Sequence, residues 1–268
     1  LEIYSLNIAI YRLYISSNIQ YRIFMEQIMK EVYSKKDFEL ELRKMENMYH
    51  IHHPYQQKMN RGEFTKEQMQ GWIINRFYYQ CMIPIKDMAI IANNPPIEHR
   101  RLWIQRVNTH IKPNGALEAW INLGVAVGLK KEDLISHKYV LPGVKFAIDA
   151  YVDYTRNAKW EEAAMSSLSE MFALKIHKLR LDTWPLLYPW IDENALSYFK
   201  KRLLDTPKDN IHALDIVLNY FNTYELQQKA FGILQFKLDV LWTMLDHIYL
   251  AYELNKEPYF NIKPKPTF

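Results

Sequence analysis

The sequence predicts an all-α protein built as one domain, and three observations carry that reading. Apolar residues recur at three- and four-residue intervals over most of the chain, the period of a helix with one buried stripe. Alternating runs of Val, Ile and Thr bounded by turn residues, the mark of half-buried strands, are scarce. Glycine is rare, with seven among 268 residues. Average usage of roughly 7% would give more than twice as many, so few tight turns can be built and long helices are favoured.

In chain order the periodicity predicts helices at 37–48, 65–93, 96–110, 115–127, 131–136, 143–157, 160–182, 192–204 and 209–223, then a long final one at 225–254. Thr65 followed by Gln68 is the signature of a capping box opening the second helix. Pro84 removes a backbone donor inside that helix and is expected to kink it. Neither an internal repeat nor a linker divides the chain. Residues 25–259 are read as the domain. Residues 1–24, rich in Ile and Tyr and lacking a small-residue cleavage site, are read as an extension of uncertain origin, and residues 260–268, with Lys-Pro-Lys-Pro at 263–266, as an extended tail.

Composition excludes several kinds of chemistry. Hydrophobic residues make up 49% and charged residues 24%, which suits a packed core and not a disordered chain. Without clustered glycines there is no phosphate-cradling loop. One cysteine, Cys81, supports neither an internal disulfide nor a thiolate zinc site, and a reducing, cytoplasmic setting is expected. The net charge of +4 has no Lys/Arg run behind it, so no nucleic-acid surface is expected, while anionic small molecules remain plausible partners. No run of 18 apolar residues occurs, and no membrane span is expected.

Polar residues on apolar stripes mark a candidate site. In the final helix Leu226, Ala230, Ile233, Leu241, Met244 and Ile248 share a stripe with Lys237 at its middle, while Asp239, Thr243 and Asp246 take the opposite side. A buried ammonium calls for an anionic partner, although a stem reaching back to water, or a structural carboxylate, would also account for it. In the helix at 160–182, Glu170 and His177 share a stripe with Ala163, Leu174 and Leu181, two turns apart. That pair suits proton transfer, a half-share of a di-iron site, or a satisfied core hydrogen bond.

Other groups are read less sharply from periodicity. Arg76, Tyr79 and Gln80 fall within one turn, with Lys86 and Asp87 beyond them, and the opposite half of that helix is apolar, so periodicity turns this stripe toward water. Arg106 with His110, and Tyr198 with Arg202, are i, i+4 pairs that could meet one ligand or lie on the surface. The tract Tyr49-His50-Ile51-His52-His53-Pro54 is dense in imidazole but lacks the i, i+4 helical spacing of a preformed metal site. Cys81 lies on an apolar helix face and is read as core.

Seven strings resemble one family along its length: YHIHHPY (49–55), QGWIINRFYYQ (70–80), IPIKD (83–87), LPGVKFAIDAY (141–151), SSLSEMFALKIHKLRLDTWP (166–185), YPWI (188–191) and LQFKLDVLWTMLD (234–246). Between about Lys36 and Tyr259 the chain resembles the pyrroloquinoline-quinone (PQQ) synthases. The resemblance implies a seven-helix bundle of the haem-oxygenase-like type, a homodimer, and a reaction without metal or organic redox cofactor. That reaction closes the last ring and oxidises a reduced tricarboxylate precursor with O2, giving PQQ and H2O2.

By matched motif the resemblance implies a pocket of Tyr49, Arg76, Tyr79, Gln80, Lys86, Arg106, Tyr151, Arg180 and Lys237 for binding. It implies catalytic roles for His50, His110, Glu170, His177, Tyr198 and Arg202. Arginines and lysines would hold carboxylates. His50, His110, Glu170 and His177 would move protons, and His110, His177, Tyr198 and Arg202 would stand near oxygen or peroxide. The segment Ile111-Lys112-Pro113-Asn114-Gly115 is a few residues shorter than the family's usual glycine-rich, acidic loop. Two other readings are a di-iron oxygenase of the same helical superfamily, against which the acid-free RVNTHIKPNG (106–115) counts, and a non-catalytic PQQ-binding protein.

Overall fold

The computed structural model describes residues 31–256, with backbone alone at 206–209; the predicted extension at 1–24 and tail at 260–268 lie outside the described residues. Among the described residues there are eleven α-helices joined by turns and short 3-10 segments, and no strand. The count of seven implied by the resemblance is not confirmed. We number the helices α1 (Lys35–Lys44), α2 (Pro54–Asn60), α3 (Lys66–Ala92), α4 (Ile97–Ile111), α5 (Ala116–Ala126), α6 (Lys131–Ile135), α7 (Pro142–Asn157), α8 (Trp160–Met165), α9 (Ala173–Leu187), α10 (Ser197–Tyr220) and α11 (Tyr224–Tyr252).

The central element is α3. It begins at the expected capping box: Gln68 N donates to Thr65 Oγ1 at 3.2 Å, and Thr65 N donates to Gln68 Oε1 at 3.0 Å. From there it runs on through Pro84 for 27 residues. It packs against α4, α5, α7 and α11, so residues all round its circumference are buried, Gln70, Asn75, Gln80, Lys86 and Asp87 among them. Periodicity turns the Arg76, Tyr79 and Gln80 stripe toward water. The structure overturns that reading: Tyr79 and Gln80 are buried and Arg76 half-buried, because neighbouring elements pack over the polar side, and the more exposed side of the second half is the apolar one at Cys81, Ile85 and Met88.

Three other boundaries differ from the sequence reading. The helix expected over 160–182 is interrupted. Ser166 Oγ donates back to Ala163 O at 2.6 Å, and Ser167 N donates three residues back to Ala164 O. The chain tightens there into a 3-10 turn over Leu168–Phe172 before α9 begins, as side-chain bonds to the backbone favour. Glu170 and His177 therefore stand on two elements instead of two turns of one helix. The helices expected at 192–204 and 209–223 are one, α10, tertiary packing on α8 and α9 overriding local propensity.

The periodicity does not predict α2. Its seven residues are too few to show a period, yet the start signals are present: Pro54 opens it, and the His53 ring accepts from Tyr55 N at 3.1 Å. The first predicted helix ends early, at Lys44, and continues as a 3-10 turn over Met45–Met48. α7 and α11 pack along each other and on α3, and their buried faces make up much of the main core. Cys81 packs against that core, as its apolar setting predicts. Among the described residues no helix is long and apolar enough to cross a membrane.

Candidate active site

A cavity enclosing about 510 Å³, its open mouth included, lies where α3, α9 and α10 converge with the turn carrying His50 and the one carrying Glu170. Ten of the fifteen residues implied by the resemblance line it: Tyr49, His50, Arg76, Tyr79 and Gln80 on one side, and Glu170, His177, Arg180, Tyr198 and Arg202 on the other. Trp120 of α5, Leu241 of α11, Ile83, Ile176, Ala173 and Ser169 complete the wall. The remaining five, Lys86, Arg106, His110, Tyr151 and Lys237, stand behind it and are all buried.

Tyr49, in extended backbone, and His50, opening a 3-10 turn, stack on each other with ring centroids 4.3 Å apart. His50 Nε2 lies 3.4 Å from the Arg76 guanidinium. The three histidines of this tract diverge: His50 faces the cavity, His52 is exposed, and His53 Nε2 meets Asp246 at 3.0 Å. Arg76 also caps the Tyr79 ring, 4.4 Å from its centroid. On the far wall Arg180 lies over Trp72 at 4.7 Å and donates to Gln56 Oε1 at 3.3 Å, while Tyr198 donates to Gln80 Oε1 at 2.8 Å.

Behind the wall two cationic groups take different solutions. Lys237, 1% exposed, has no carboxylate partner among the described residues; its Nζ lies 3.5 Å from the Tyr151 ring centroid and 3.1 Å from the Tyr79 hydroxyl. Tyr151 fixes its own ring by donating to Ser166 O at 3.2 Å. Lys86, by contrast, is paired with Asp87 at 2.5 Å and with Ser167 Oγ at 2.6 Å. Arg106 bonds both Asp87, at 2.8 Å, and Glu170, and Glu170 is also held by Arg202 at 3.0 Å.

Among the described residues six cationic side chains thus surround the cavity against two carboxylates, and the electrostatics follow. Burial, then Lys86 and Arg76, push the Lys237 ammonium well below the usual lysine value. Burial and Arg76 lower Arg180 to about 9. Burial with Arg76 and Arg180 holds His50 well below 6.5, and burial with Arg180 and Arg202 does the same to His177. His110 is lowered to about 3 by burial, Arg202 and Arg106. Burial raises Tyr49 to about 12. For Glu170 burial acts upward, but Arg106, Arg202 and Lys86 outweigh it and keep the carboxyl below the ordinary carboxylate range.

Several buried polar atoms have no hydrogen-bond partner among the described residues: both ring nitrogens of His110, Nδ1 of His50, Nδ1 of His177 and Nε of Arg180. Such orphans cost free energy, and those of His50, His177 and Arg180, which line the cavity, are the ones a polar ligand there would satisfy. Glu170, the acid a di-iron reading would require, already accepts from two guanidinium groups. Among the described residues no group of three or more His, Cys, Asp or Glu is placed to hold a metal ion. Sequence reasoning missed Gln56 and, though it noted Asp87 beyond Lys86, did not count Asp87 among the site residues; both are buried behind the wall. Asp87 follows Lys86 directly in the IPIKD string, a signal that was there to be used.

A helical bundle with a cation-rich internal cavity defines the class of protein, and comparison with known proteins gives it a family. Residues 41–247 match the model of the TENA/THI-4/PQQC family. A pyrroloquinoline-quinone synthase of Acinetobacter baylyi is 51% identical over 234 residues, covering 86% of this chain and 92% of that protein. One from Cronobacter sakazakii is 53% identical over 229 residues, covering 84% and 91%.

Two solved structures share the fold at 12% identity. A domain of unknown function with a haem oxygenase-like fold, from Shewanella denitrificans, has a TM-score of 0.69 and covers 87% of this chain and 100% of that one. A TenA homologue from Pseudomonas syringae has a TM-score of 0.66 and covers 80% and 91%. The fold is haem-oxygenase-like, as the sequence resemblance implied. The chain belongs to the TENA/THI-4/PQQC family, on the branch of the pyrroloquinoline-quinone synthases, and is an enzyme.

Proposed function

We propose that this chain, an oxidoreductase of PQQ biosynthesis, performs the final ring closure and oxidation of a reduced tricarboxylate precursor, with O2 as oxidant and without a resident metal or organic redox cofactor. The observation that carries this reading is the excess of positive charge around one cavity. Arg76, Arg180 and Arg202 line it, Lys86, Arg106 and Lys237 stand behind, and among the described residues Asp87 and Glu170 are the acids paired with them. Buried charge of one sign is unfavourable unless a counter-charge arrives with the ligand. A tricarboxylate supplies three.

The chemistry asks little of the protein beyond binding, proton transfer and anion stabilisation. In each oxidation the substrate gives up two electrons and two protons, and one O2 takes both to become H2O2. Burial and the surrounding cations hold the imidazoles of His50, His177 and His110 neutral and weakly basic; a polyanionic substrate offsets those cations and raises the basicity of all three, so each would accept a proton once the substrate is bound. Arg202, with Tyr198 and His177 beside it, would steady the reduced oxygen species as negative charge develops on it. The electrons come from the substrate's own enol and quinol groups.

The test is incubation of the purified protein with the reduced precursor under air and under argon, following PQQ absorbance and peroxide. The reading expects PQQ and peroxide only in air, with no dependence on added iron. Absence of product, or product formed only with stoichiometric iron, overturns it.

A further inference from the structure

We propose that Asp87 is a positioning residue for the reaction, the anchor of a charge ladder that sets where Arg202 stands in the cavity. This rests on the proposed function above. Asp87 does not line the cavity and is wholly inaccessible. Its carboxylate takes Lys86 Nζ on one oxygen, at 2.5 Å, and Arg106 Nε on the other, at 2.8 Å. Arg106 passes its terminal nitrogen to Glu170 Oε1, and Arg202 reaches Glu170 Oε2 at 3.0 Å. Cation and anion alternate through five residues from α3, α4, the 3-10 turn and α10, and the last two face the cavity.

The geometry makes the ladder directional. A guanidinium is a rigid plane, so fixing Nε of Arg106 fixes the edge it turns toward Glu170. Glu170 is then shared between two guanidinium groups, one braced by Asp87 and one exposed to the ligand. Without the Asp87 charge, Arg106 would lose the carboxylate that holds its Nε. Glu170 would be drawn toward α4 and its hold on Arg202 would loosen. Asp87 is suited to be the anchor because it stays ionised. Burial alone would raise it, but Arg106, Lys86 and His110 hold its carboxyl below the usual range.

The charge argument separates positioning from binding. Asp87→Asn keeps the shape and removes one negative charge from beneath a polyanion site, so affinity for PQQ does not fall. The rate of oxygen-dependent product formation falls by about 10- to 100-fold, the scale of a small misplacement of a reacting group. Asp87→Glu, which restores the charge, recovers part of that rate.

The experiment measures the single-turnover rate, the PQQ dissociation constant and the 15N-Nε–H resonances of Arg106 and Arg202 in wild type, Asp87→Asn and Asp87→Glu. Loss of rate with retained affinity, together with a shifted Arg202 resonance in Asp87→Asn, supports the proposal. A normal rate, a parallel loss of affinity, or an unmoved Arg202 resonance overturns it, as does failure of both variants to fold, which would make Asp87 a structural counter-ion alone. If the wild type makes no product, the proposed reaction falls, while the Arg202 resonance still decides whether the ladder transmits.

Discussion

The Lys237 ammonium lies 3.5 Å from the centre of the Tyr151 ring, face to face with a π-system in place of a carboxylate. A cation–π contact of this kind stabilises a desolvated charge by about 2 kcal/mol, well short of what burial removes. Burial accordingly depresses the lysine pKa. In this arrangement Lys237 is unfavourable to the empty protein and becomes favourable when an anion enters.

Lys237→Met is therefore expected to leave thermal stability unchanged or higher, while PQQ binds about tenfold more weakly, or about 1.4 kcal/mol. Differential scanning calorimetry and fluorescence titration check the two halves. Equal affinity in the variant would remove Lys237 from the site.

Glu170→Gln makes the opposite prediction for stability. Two guanidinium groups converge on this carboxylate, and neutralising one partner of a buried ion network costs about 3 kcal/mol or more. Urea unfolding at neutral pH should show that loss, and a stability within error of wild type would contradict it.

Arg202→Ala and His110→Ala should slow oxidation by about 100-fold, the usual scale for removing a donor that stabilises developing negative charge. A partly oxidised quinol should accumulate, visible in stopped-flow spectra. Wild-type rates in both variants would reject the oxygen-side assignment.

Stability of the unliganded protein should depend on acid in a defined direction. His50, His110 and His177 all have folded values below 6.5, so the unfolded chain binds their protons more readily. Their contribution is complete above 6.5 and is lost as the pH falls toward the folded values, about 3 for His110. Unfolding free energy should drop between pH 7 and pH 5, with a shallower slope in His110→Asn; identical slopes would show that His110 is not buried in its neutral form.

Much of the fold was legible because α3, α4, α5, α7 and α11 each carry a sustained helical period with ordinary end signals, and their limits fall within one or two residues of those predicted. Where two elements meet end to end, pattern fails: the break after Met165 turns on serine side chains bonding backward, and α10 is continuous because its neighbours hold it. Lys237 could be found from the final helix alone, since that helix already had a separate polar face. Arg76 and Gln80 could not, because which side of α3 the neighbouring elements cover is a property of the assembled bundle. Gln56 was missed for a related reason, since it meets Arg180 only in three dimensions; Asp87 was in view beside Lys86, but its tie to Arg106 is made only by the fold.

The most direct test of the central claim compares PQQ with its trimethyl ester in calorimetric titration of the wild-type protein at low and moderate salt. The ester keeps the ring system and loses all three charges. Convergent cations predict that the free acid binds about 100-fold more tightly or better, with the gap narrowing little with salt because the cations are buried. Equal affinity for acid and ester would contradict the account.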